Sequence, residues 1–600
     1  MCGILFSLTS RDSPIDSTVW QSLIDLNTKR GPDSQTTREA HVGQDQNLVA
    51  HFFSSVLHLR GKSNVVQPLA SKSTGDILCW NGEVFDGLPM STEENDTQVL
   101  FGQLEEADDI LKVISRVEGP FAFVFWQQRT NTIWFGRDCL GRRSLLWRRT
   151  ASSLLICSTA QRWDSEQERS LWEEIPANGI YGIHLDGSSG KEPVFNVDNH
   201  PVCLYPWISP DDDHDKLDLD SSLVLAFPKL NRAIPSKPIA EQLLEPDLEY
   251  ISAMHNHVKA FQKVLDEAVR VRVADIPFHS VDHDQPRVAI LFSGGLDCIC
   301  LAALADKHLP IHEPIDLLNV AFENPRSQNA KKNKQSNPSC QQSTYDTPDR
   351  ITGREGVKEL RLISPKRQWN FVEINVPYNE AMAHRQEIID RMFPLDTVMD
   401  LSIAMALWFA ARGKGEINLD DSVKPYHSHA RVLISGLGAD EQLGGYSRHR
   451  EAFRRGGWEQ LIDEASFNMK TQLDVDRIST RNLGKASFWV SKVYLQLTLT
   501  YATSFTGRDD RIISDHGKEA RFPYLSTHVV NHLCQLPIDI KMDMRYGRGF
   551  GEKLLLRQVA VDLGLSKASR NWKRAIQFGA KTAKMTGDRR SEKGQHKLEN

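Results

Sequence analysis

The hydrophobic pattern of this chain changes near residue 250, and this change constrains the fold more than any other feature of the sequence. Up to about residue 190, short β-rich runs are separated by turn signals such as Asn81-Gly82. Beyond residue 250, helical stretches alternate with apolar runs that have no polar face. Such runs are typical of strands buried on both sides of a parallel sheet. We therefore expect two domains of different class.

The N-terminal part is predicted to be an α+β domain. Strands are predicted at residues 76–80, 121–126, 132–135 and 154–157, and one helix at residues 19–26. Aromatic and β-branched residues bounded by turns favour strands. We place this domain at residues 1–190 and a connector at residues 191–245, which contain an acidic stretch and several prolines.

The C-terminal part is predicted to be an α/β domain with a doubly wound parallel sheet. Buried strands are predicted at residues 288–292, 315–322 and 431–434, after a long amphipathic helix in which Ile251, Met254, Val258 and Phe261 recur at helical spacing. Ligands of such sheets bind beyond the carboxyl ends of the strands. We place this domain at residues 246–585, with a surface loop at 327–342 and a polar tail at 586–600.

Composition excludes several classes of partner. The chain has 72 basic and 78 acidic residues, a net charge of -6, so nothing in its charge favours nucleic acid. No apolar run approaches the roughly 20 residues of a membrane helix, and the N-terminus lacks the pattern of a signal peptide. We expect no membrane partner and a cytoplasmic location. The nine cysteines form no CxxC pair, which argues against zinc or a disulfide framework. A homodimer stays open.

Cys2 is the cysteine whose position suggests chemistry. If Met1 is removed, the free α-amino group of Cys2, with a pKa of about 8, can act as base for its own thiol. The thiolate could then attack an amide and release ammonia, provided that donors hold the oxyanion. Asn81 and Gly82 are candidates for these donors. Taken alone, a cysteine after the initiator methionine is more often an ordinary buried thiol.

Two glycine-rich loops suggest phosphate binding. The segment FSGGLDC at residues 292–298 follows a predicted strand and opens an apolar helix, and SGLGADE at 435–441 ends another strand. Glycines let the backbone approach a phosphate, and the helix N-terminus supplies positive potential. Asp297 would repel phosphate unless Mg²⁺ bridged the two. The alternative is an ordinary strand-to-helix turn.

The N-terminal motifs resemble the class II glutamine amidotransferase domain, an N-terminal nucleophile fold. They are MCGI at 1–4, KRGPD at 29–33, QPL at 67–69, NGEVF at 81–85, DTQVL at 96–100 and GRDCLG at 136–141. The resemblance implies Cys2 as nucleophile and Asn81 with Gly82 as oxyanion hole. It implies that Glu83 and Asp96 bind glutamine. The arginine that the family uses for the substrate carboxylate is replaced at Ser55 and Val56, and Arg60 is the nearest substitute.

The C-terminal motifs resemble the ATP-pyrophosphatase domain of asparagine synthetases, and within them the asparagine synthetase domain-containing protein group. Both glycine loops contribute, with TVMD at 397–400, GKEARFPYL at 517–525 and KLLLR at 553–557. The resemblance implies Asp297 and Asp440 as carboxylates for Mg²⁺. It implies an ATP site formed by Phe292, Ser293, Gly294, Gly295, Leu296, Asp297, Cys298, Val320, Ser435 and Gly436.

The reaction implied by both resemblances is a glutamine-dependent amide synthesis. Glutamine gives ammonia at Cys2, ATP adenylates aspartate with loss of pyrophosphate, and ammonia travels inside the protein to form the amide. Exclusion of water would protect the acyl-adenylate and keep ammonia unprotonated. Glutamine, ATP and aspartate are the expected substrates, and Mg²⁺ is the expected cofactor.

Several residues depart from the asparagine synthetase pattern. Leu437 replaces a glutamate that handles the amino-acid substrate, and Ala575 stands near the place of a lysine, beside Lys573 and Arg574. Cys298 replaces the usual loop serine. Two alternatives follow: an amide ligase or cyclase for a different carboxylate, and an inactive regulatory paralogue. Residues 485–507 are further hypothesised to be a translated intron, because their composition changes abruptly.

Overall fold

A computed structural model describes most of the chain and divides it into two compact units. The described residues are 1–43, 46–150, 152–160, 172–185, 202–212, 221–239, 243–278, 285–325, 343–419, 422–471, 501–572, 574–582 and 596–598. Unit 1 comprises Met1–Lys229 and Phe467–Gly517, and unit 2 comprises Leu230–Ser466 and Lys518–Asn600. Each unit is described separately below.

Unit 1 is built on two antiparallel sheets. Its strands are β1 Gly3–Ser10, β2 Ser34–Val42, β3 Leu48–Val56, β4 Leu69–Ala70, β5 Ile77–Gly82, β6 Phe121–Gln127, β7 Thr132–Arg137, β8 Leu146–Arg149, β9 Ser153–Cys157, β10 Trp172–Glu174, β11 Gly179–His184 and β12 Val202–Pro206. One six-stranded sheet has the order β10-β8-β9-β1-β3-β2, and the other has the order β12-β11-β7-β6-β5-β4. The four strands predicted from the sequence correspond to β5, β6, β7 and β9.

The core of unit 1 lies between these sheets. Ile4 and Phe6 of β1 pack in one buried cluster with Cys79 of β5 and Val124 of β6. Alternate residues of β5 and β6 face the other way and meet α2 (Asp96–Glu106) and α3 (Ile110–Arg116). Helix α1 (Ser17–Thr28), which was predicted, contacts β1 and β3. Helices thus flank a two-sheet core, which is the α+β arrangement that the sequence predicted.

Unit 2 is built on one mixed sheet. Its strands are β13 Val288–Leu291, β14 Ile315–Phe322, β15 Trp369–Val376, β16 Lys414–Leu419, β17 Ser422–His427, β18 Val432–Ile434 and β19 Glu519–Arg521. The order is β17-β16-β15-β14-β13-β18-β19. Strands β15, β14, β13, β18 and β19 are parallel to one another. Strands β16 and β17 add an antiparallel hairpin at the edge next to β15. The predicted parallel sheet is confirmed, and the hairpin is an addition to it.

Helices surround the sheet of unit 2. They are α4 Leu248–Val273, α5 Leu296–Asp306, α6 Pro348–Ile363, α7 Tyr378–Ala383, α8 Arg385–Met392, α9 Val398–Arg412, α10 Ala439–Leu443, α11 Ser447–Thr471, α13 Thr527–Gln535, α14 Ile538–Lys541, α15 Leu554–Asp562 and α16 Ile576–Gly579, while α12 Tyr501–Ser514 belongs to unit 1. Helix α4 is the predicted amphipathic helix. Asp247 caps it by accepting a hydrogen bond from the Tyr250 amide at 2.8 Å. Among the described residues, no helix is both long and apolar enough to cross a bilayer.

The strand order of unit 2 reverses at β13. Strand β14 pairs with one edge of β13 and β18 with the other, with Ala289 opposite both Asp316 and Leu433. The chain leaves β13 into α5 and leaves β18 into α10. In doubly wound sheets the crevice at such a reversal is where ligands bind. Both predicted glycine loops lie at this point.

The structure differs from the sequence-based prediction in three places. Residues 202–206, predicted as connector, form β12 and pair with β11, because a five-residue run is too short to show a strand period. Residues 506–517, predicted in the second domain, belong to unit 1. Ile251, predicted on the buried face of α4, is 37% exposed. The predicted loop at 327–342, most of the tail at 586–600 and residues 485–500 of the proposed intron lie outside the described residues.

Candidate active sites

Cys2 stands immediately before β1, and its peptide bond to Gly3 is fixed from both sides. The Cys2 carbonyl accepts a hydrogen bond from Arg30 Nε at 3.1 Å, and the Gly3 amide donates to Ser55 Oγ at 3.1 Å. A Cβ on Gly3 would lie 2.3 Å from the Asn27 carbonyl oxygen, so the close approach requires glycine. Two anchors and a tight neighbour therefore set the direction in which the Cys2 substituents point.

Asn81 and Gly82 close β5, and Asn81 has an unusual environment. Its side chain is 0% exposed, yet neither its amide nitrogen nor its amide oxygen has a hydrogen-bond partner among the described residues. Leaving a buried polar group without a partner costs about 1–3 kcal/mol. Native proteins keep such a group mainly where a ligand, water or reacting atom satisfies it. Asn81 thus has the property that an oxyanion donor needs.

Gln67 links the thiol to the same strand, and the sequence analysis did not assign it a role. Its Nε2 lies 4.0 Å from Cys2 Sγ, and its Oε1 accepts from the Trp80 amide at 2.8 Å. Trp80 is the residue before Asn81. One side chain therefore bridges the nucleophile and the end of β5. The QPL motif was the signal that could have identified it.

The residues predicted to bind glutamine form a buried group after β5. Glu83 and Arg60 are both largely buried, and Arg60 Nη1 lies 3.7 Å from Glu83 Oε2. Asp96, the first residue of α2, accepts from the Val84 amide at 2.9 Å and from the Thr97 amide at 2.8 Å. Asp96 thereby holds the loop that follows the candidate oxyanion hole. Its carboxylate also accepts from the Thr97 hydroxyl at 3.5 Å.

Ser55 stands where the family has its arginine for the substrate carboxylate, and Arg60 is the nearest substitute. Ser55 lies in β3, and its hydroxyl accepts from Gly3 and donates to the Asn27 carbonyl at 2.6 Å. It therefore supports the Cys2 backbone. Arg60 lies beyond β3, with its guanidinium 5.7 Å from the Phe85 ring centroid, and its Nε has no hydrogen-bond partner in the part of the chain that the structure describes. A donor of this residue is thus available to a ligand carboxylate.

In unit 2, the loop after β13 has the features of a phosphate site. Gly294 has φ of +75°, and a Cβ there would lie 2.4 Å from the Thr352 carbonyl carbon, so only glycine fits. Gly295 precedes α5 and gives it no side-chain cap, which leaves the amides of the first turn available to an anion. Ser293 Oγ accepts from the Gly295 amide at 3.3 Å.

Cys298 lies on the inner side of this turn. Its thiol donates to the Gly295 carbonyl at 3.2 Å, and burial raises the pKa of the thiol to about 11. The thiol is therefore neutral at physiological pH and serves to close the turn. Cys298, Gly294 and Phe292 do not line the adjacent cleft, nor do Val320, Ser435 and Gly436.

The two predicted metal carboxylates converge on one lysine. Lys553 Nζ lies 2.7 Å from Asp297 Oδ1 and 2.5 Å from Asp297 Oδ2, and it lies 2.7 Å from Asp440 Oδ1. Burial acts to lower the pKa of Lys553, but Asp297 and Asp440 raise it above its ordinary value. The lysine is therefore charged and forms an ion pair with each acid, which offsets part of their combined negative charge. The sequence analysis noted its motif without assigning this role.

Glycines at the second loop allow this convergence. A Cβ on Gly436 would lie 3.0 Å from Asp297 Cβ, so the loop after β18 contacts the first turn of α5. A Cβ on Gly445 would lie 1.8 Å from Asp440 Oδ1. The two loops therefore present their carboxylates to one point, and two convergent carboxylates form an oxygen set of the kind that Mg²⁺ prefers. The oxygens of Asp297 and Asp440 are therefore a donor set that could hold a magnesium ion.

A single cleft of unit 2 contains this pair. It is lined by Ser293, Gly295, Leu296, Asp297, Asp349, Thr352, Asp440, Lys553, Arg557, Asn571, Trp572 and Arg574. Three of the lining residues are basic, and they would face an anionic ligand. Seven of the lining residues were not predicted as site residues: Asp349, Thr352, Lys553, Arg557, Asn571, Trp572 and Arg574. Of these, only Lys553, Arg557 and Arg574 lie in segments that the sequence analysis quoted.

Asp349 is the carboxylate of the cleft that Lys553 does not reach. Burial raises the pKa of Asp349 to about 7, while the charge of Arg574 acts to lower it. Gly579 packs directly against it, since a Cβ there would lie 2.0 Å from Asp349 Oδ2. Leu437 and Ala575, the two departures from the family pattern, are not lining residues of the cleft.

Comparisons with known proteins agree with this division into two chemistries. The model of the glutamine amidotransferase domain matches residues 1–171, and the model of the asparagine synthase family matches residues 372–591. Asparagine synthetase domain-containing protein 1 of Bos taurus is 37% identical over 98% of this chain and 96% of its own length. The protein of the same name from Homo sapiens is 37% identical over 98% of this chain and 95% of its own length.

The chain belongs to the asparagine synthetase domain-containing protein family. A more distant relative, asparagine synthetase [glutamine-hydrolyzing] 3 of Bacillus subtilis, is 21% identical over 92% of this chain and 84% of its own length. The predicted family and fold class are therefore confirmed. In this chain the match to the glutamine amidotransferase domain precedes the match to the asparagine synthase family in one polypeptide.

Proposed function

We propose that this protein is a glutamine-hydrolysing amide ligase of the asparagine synthetase type. The observation that carries the proposal is the buried Asn81 amide, which has no hydrogen-bond partner among the described residues and lies near the end of β5, the strand that Gln67 links to Cys2. A protein with no use for an oxyanion donor would gain stability by replacing it. Both family models match the same chain, so ammonia made at one site has an acceptor site in the same polypeptide.

At the amidotransferase site, the reaction requires that Met1 has been removed beforehand, because this frees the Cys2 α-amino group. This amine takes the thiol proton, and the thiolate attacks the side-chain carbonyl carbon of glutamine. Asn81 Nδ2 and the Gly82 amide hold the oxyanion. Ammonia leaves with the proton from the α-ammonium group, and water hydrolyses the thioester to give glutamate. Glu83 with Asp96 binds the substrate ammonium, and Arg60 binds its carboxylate.

At the ATP cleft, the loop after β13 and the first turn of α5 bind the pyrophosphate of ATP. Asp297 and Asp440 would hold Mg²⁺, which supplies charge neutralisation for the leaving pyrophosphate. Lys553 and Arg557 add cationic charge to the same wall of the cleft. The acceptor carboxylate attacks the α-phosphorus, pyrophosphate departs, and ammonia replaces AMP at the acyl carbon. Aspartate is the first acceptor to test.

A second acceptor is favoured by one residue. Leu437 follows Gly436 in the second loop, where the asparagine synthetases have a glutamate for the amino-acid substrate. An apolar side chain does not bind an ammonium group. The chain is therefore also a candidate ligase or cyclase for a carboxylate that lacks the α-amino group of aspartate.

The deciding experiment measures the products of each half separately. Purified full-length protein is incubated with ATP, Mg²⁺, labelled glutamine and a panel of acids that includes aspartate. Glutamate, pyrophosphate and the amide are then quantified. We expect glutamate without ATP, and pyrophosphate that depends on the acid. The wild-type protein must first be shown to have lost Met1, so that Cys2 is its first residue. If it then forms no glutamate and no pyrophosphate with any acid, the chain is a regulatory paralogue and our proposal is wrong.

A further inference from the structure

Helix α12 buries an unusual run of charges in unit 1. Arg508, Asp509, Asp510 and Arg511 follow one another, and each is at most 5% exposed. Burying a charge is strongly unfavourable unless it is paired and hydrogen-bonded. This part of the helix is therefore fitted to specific partners. The helix lies nearly 500 residues after Cys2 in the sequence, yet both belong to the same compact unit.

Asp510 has its principal partner in the N-terminal segment. Its Oδ2 accepts from Arg30 Nη2 at 2.6 Å and from the Ser144 amide at 3.2 Å, and Arg143 Nη1 lies 3.7 Å from Oδ1. Arg30 and Asp510 have side-chain exposures of 1% and 0%. In such a dry environment a charge-assisted hydrogen bond is strong, and it fixes the orientation of the planar guanidinium.

The remaining nitrogens of Arg30 bind Ser514, Thr159 and Cys2. Hydrogen bonds thus connect Asp510 through Arg30 to the Cys2 carbonyl, and we call this connection the relay. Nη1 donates to Ser514 Oγ of the same helix at 2.6 Å and to Thr159 Oγ1 at 3.3 Å. Nε then points to the Cys2 carbonyl oxygen at 3.1 Å. Because that carbonyl and the thiol-bearing carbon are both attached to the Cys2 Cα, fixing the carbonyl restricts where the thiol and the α-amino group lie.

From this geometry we propose that Asp510 is a positioning residue of the amidotransferase site, acting on Cys2 through Arg30. The inference rests on the proposed glutaminase function of Cys2. It adds that residues 506–517, although they come from the far end of the chain, complete the amidotransferase unit. Asp510 touches neither glutamine nor the thiol. Its effect is on the alignment of a nucleophile for which small displacements matter.

The test compares Asp510→Asn with the wild-type protein in the full chain. We expect kcat for glutamine hydrolysis to fall on the order of 10-fold or more, because misplaced reacting groups lose much of their rate. The KM for glutamine should stay within about twofold, because Asp510 makes no contact with Glu83, Arg60 or Asp96. Asp515→Asn is the matched control, since Asp515 lies five residues further on and pairs with the half-exposed Lys29 at 3.5 Å. It should behave as wild type.

A double-mutant cycle separates positioning from a general loss of structure. Arg30→Gln should itself lower kcat, and adding Asp510→Asn to it should lower kcat no further, because the relay is already broken. Additive losses, or a loss that appears in KM, would overturn the proposal. Should Asp510→Asn not fold, Ser514→Ala removes one anchor of Arg30 without leaving a charge unpaired. It should lower kcat by a few-fold at unchanged KM; an unchanged kcat would overturn the proposal.

Alkylation distinguishes failure of this inference from failure of the proposed function. The rate at which iodoacetamide modifies Cys2, read by peptide mass spectrometry, depends on the thiol and its base but not on turnover. Absence of glutamate from the wild-type protein would reject the glutaminase. An equal Cys2 alkylation rate in the wild type and in folded Asp510→Asn would reject the relay, whichever result the turnover assay gives.

Discussion

At the end of β5 the structure buries an amide that has no partner, whereas at the end of β13 it presents a carboxylate that a lysine already neutralises. Asn81 has neither donor nor acceptor satisfied among the described residues, while Asp297 and Asp440 both lie within 2.7 Å of Lys553. The first site is kept ready at the expense of stability. At the second site, the carboxylates are paired with Lys553, and a cationic ligand would have to compete with this lysine for them.

This difference is the one expected from the charges that the two proposed reactions would develop. An oxyanion forms only during attack on the amide, so a neutral donor can wait for it unpaired at a moderate cost. The pyrophosphate group and magnesium ion of the proposed ligase reaction would be charged before they bind, and two carboxylates without a cation in a buried cleft would cost much more than one neutral amide. A lysine that can share its carboxylates with a metal ion therefore suits the ATP cleft. The following predictions test this contrast, from the largest expected effect to the smallest.

Cys2→Ala should separate the two sites completely. Without the thiol there is no covalent step, and we expect glutamate formation to fall by a factor on the order of 10³ or more. Pyrophosphate release in the presence of added ammonia and the acceptor acid should persist. Cys203→Ala, which removes a partly exposed thiol of the same unit, is the control and should leave both activities intact. Loss of both activities in Cys2→Ala would show that the two sites do not work independently.

Asn81→Ala should lower the activity of the amidotransferase site without lowering the stability of the protein. Loss of one oxyanion donor is expected to lower kcat for glutamine hydrolysis about 10²–10³-fold. The free energy of unfolding should not fall and should rise by up to about 1–3 kcal/mol, because the variant loses no hydrogen bond and removes a buried polar group that has no partner among the described residues. Chemical denaturation and glutaminase assays measure the two effects.

Asn27 provides the matched control for the stability of the Asn81→Ala variant. It is equally buried, but its amide nitrogen donates to the Leu23 and Thr159 carbonyls at 2.8 and 2.9 Å, and its oxygen accepts from the Thr159 amide at 3.1 Å. Asn27→Ala should therefore lower the free energy of unfolding by a few kcal/mol, since three buried groups lose a partner. Equal destabilisation by the two substitutions would contradict the view that Asn81 is unpaired.

The sequence predicted the elements of both units well and the composition of both sites only in part. Local patterns sufficed for β5, β13 and α4, because strand and helix periods are properties of neighbouring residues. Motifs pointed to Cys2, Asn81 and Asp297 as candidate site residues, because glycine turns and nucleophiles occur in short segments; their roles stay predictions.

Side chains that reach a site from a distant segment were missed. Asp349 and Asn571 enter the ATP cleft from α6 and from the end of the chain, and nothing in their immediate neighbours marks them. Helix α12 was assigned to the wrong unit for the same reason. Its charged run is typical of an exposed surface, and only tertiary pairing with Arg30 and Glu174 explains why it is buried.

Lys553→Met should destabilise unit 2 in a way that magnesium reverses. Removing the shared cation leaves Asp297 and Asp440 facing each other, which we expect to cost about 3–5 kcal/mol. The thermal midpoint should fall, and Mg²⁺ should raise it more in the variant than in the wild type, because the metal then meets no competing ammonium. Thermal unfolding at a series of Mg²⁺ concentrations measures this without any enzyme activity.

Lys541, a buried lysine that has no carboxylate partner among the described residues, controls for the loss of the charge itself. Lys541 donates to the Leu533 carbonyl at 2.9 Å, and burial lowers the pKa of its ammonium to about 8. Lys541→Met should therefore be neutral or stabilising at pH 7, and its thermal midpoint should not respond to Mg²⁺ differently from that of the wild type. A similar magnesium response in both variants would show that the ion does not bind at Asp297 and Asp440.

Asp349→Asn should give the smallest effect, and one that depends on pH. Burial raises the pKa of Asp349 from 3.8 to about 7 in the folded state, so protonation favours folding. The stabilisation that this group contributes is present below about pH 4 and is lost as the pH rises through 7. Asparagine stays neutral, so the variant should match the wild type at pH 4.5 and unfold a few degrees higher at pH 8. Asp346→Asn, which breaks a 2.8 Å pair with Arg354, should not stabilise at either pH. A gain that is equal at pH 4.5 and pH 8 would mean that ionisation of the buried Asp349 carboxyl does not destabilise the folded protein, and that this cleft, unlike the site around Asn81, holds a charged group at no cost in stability.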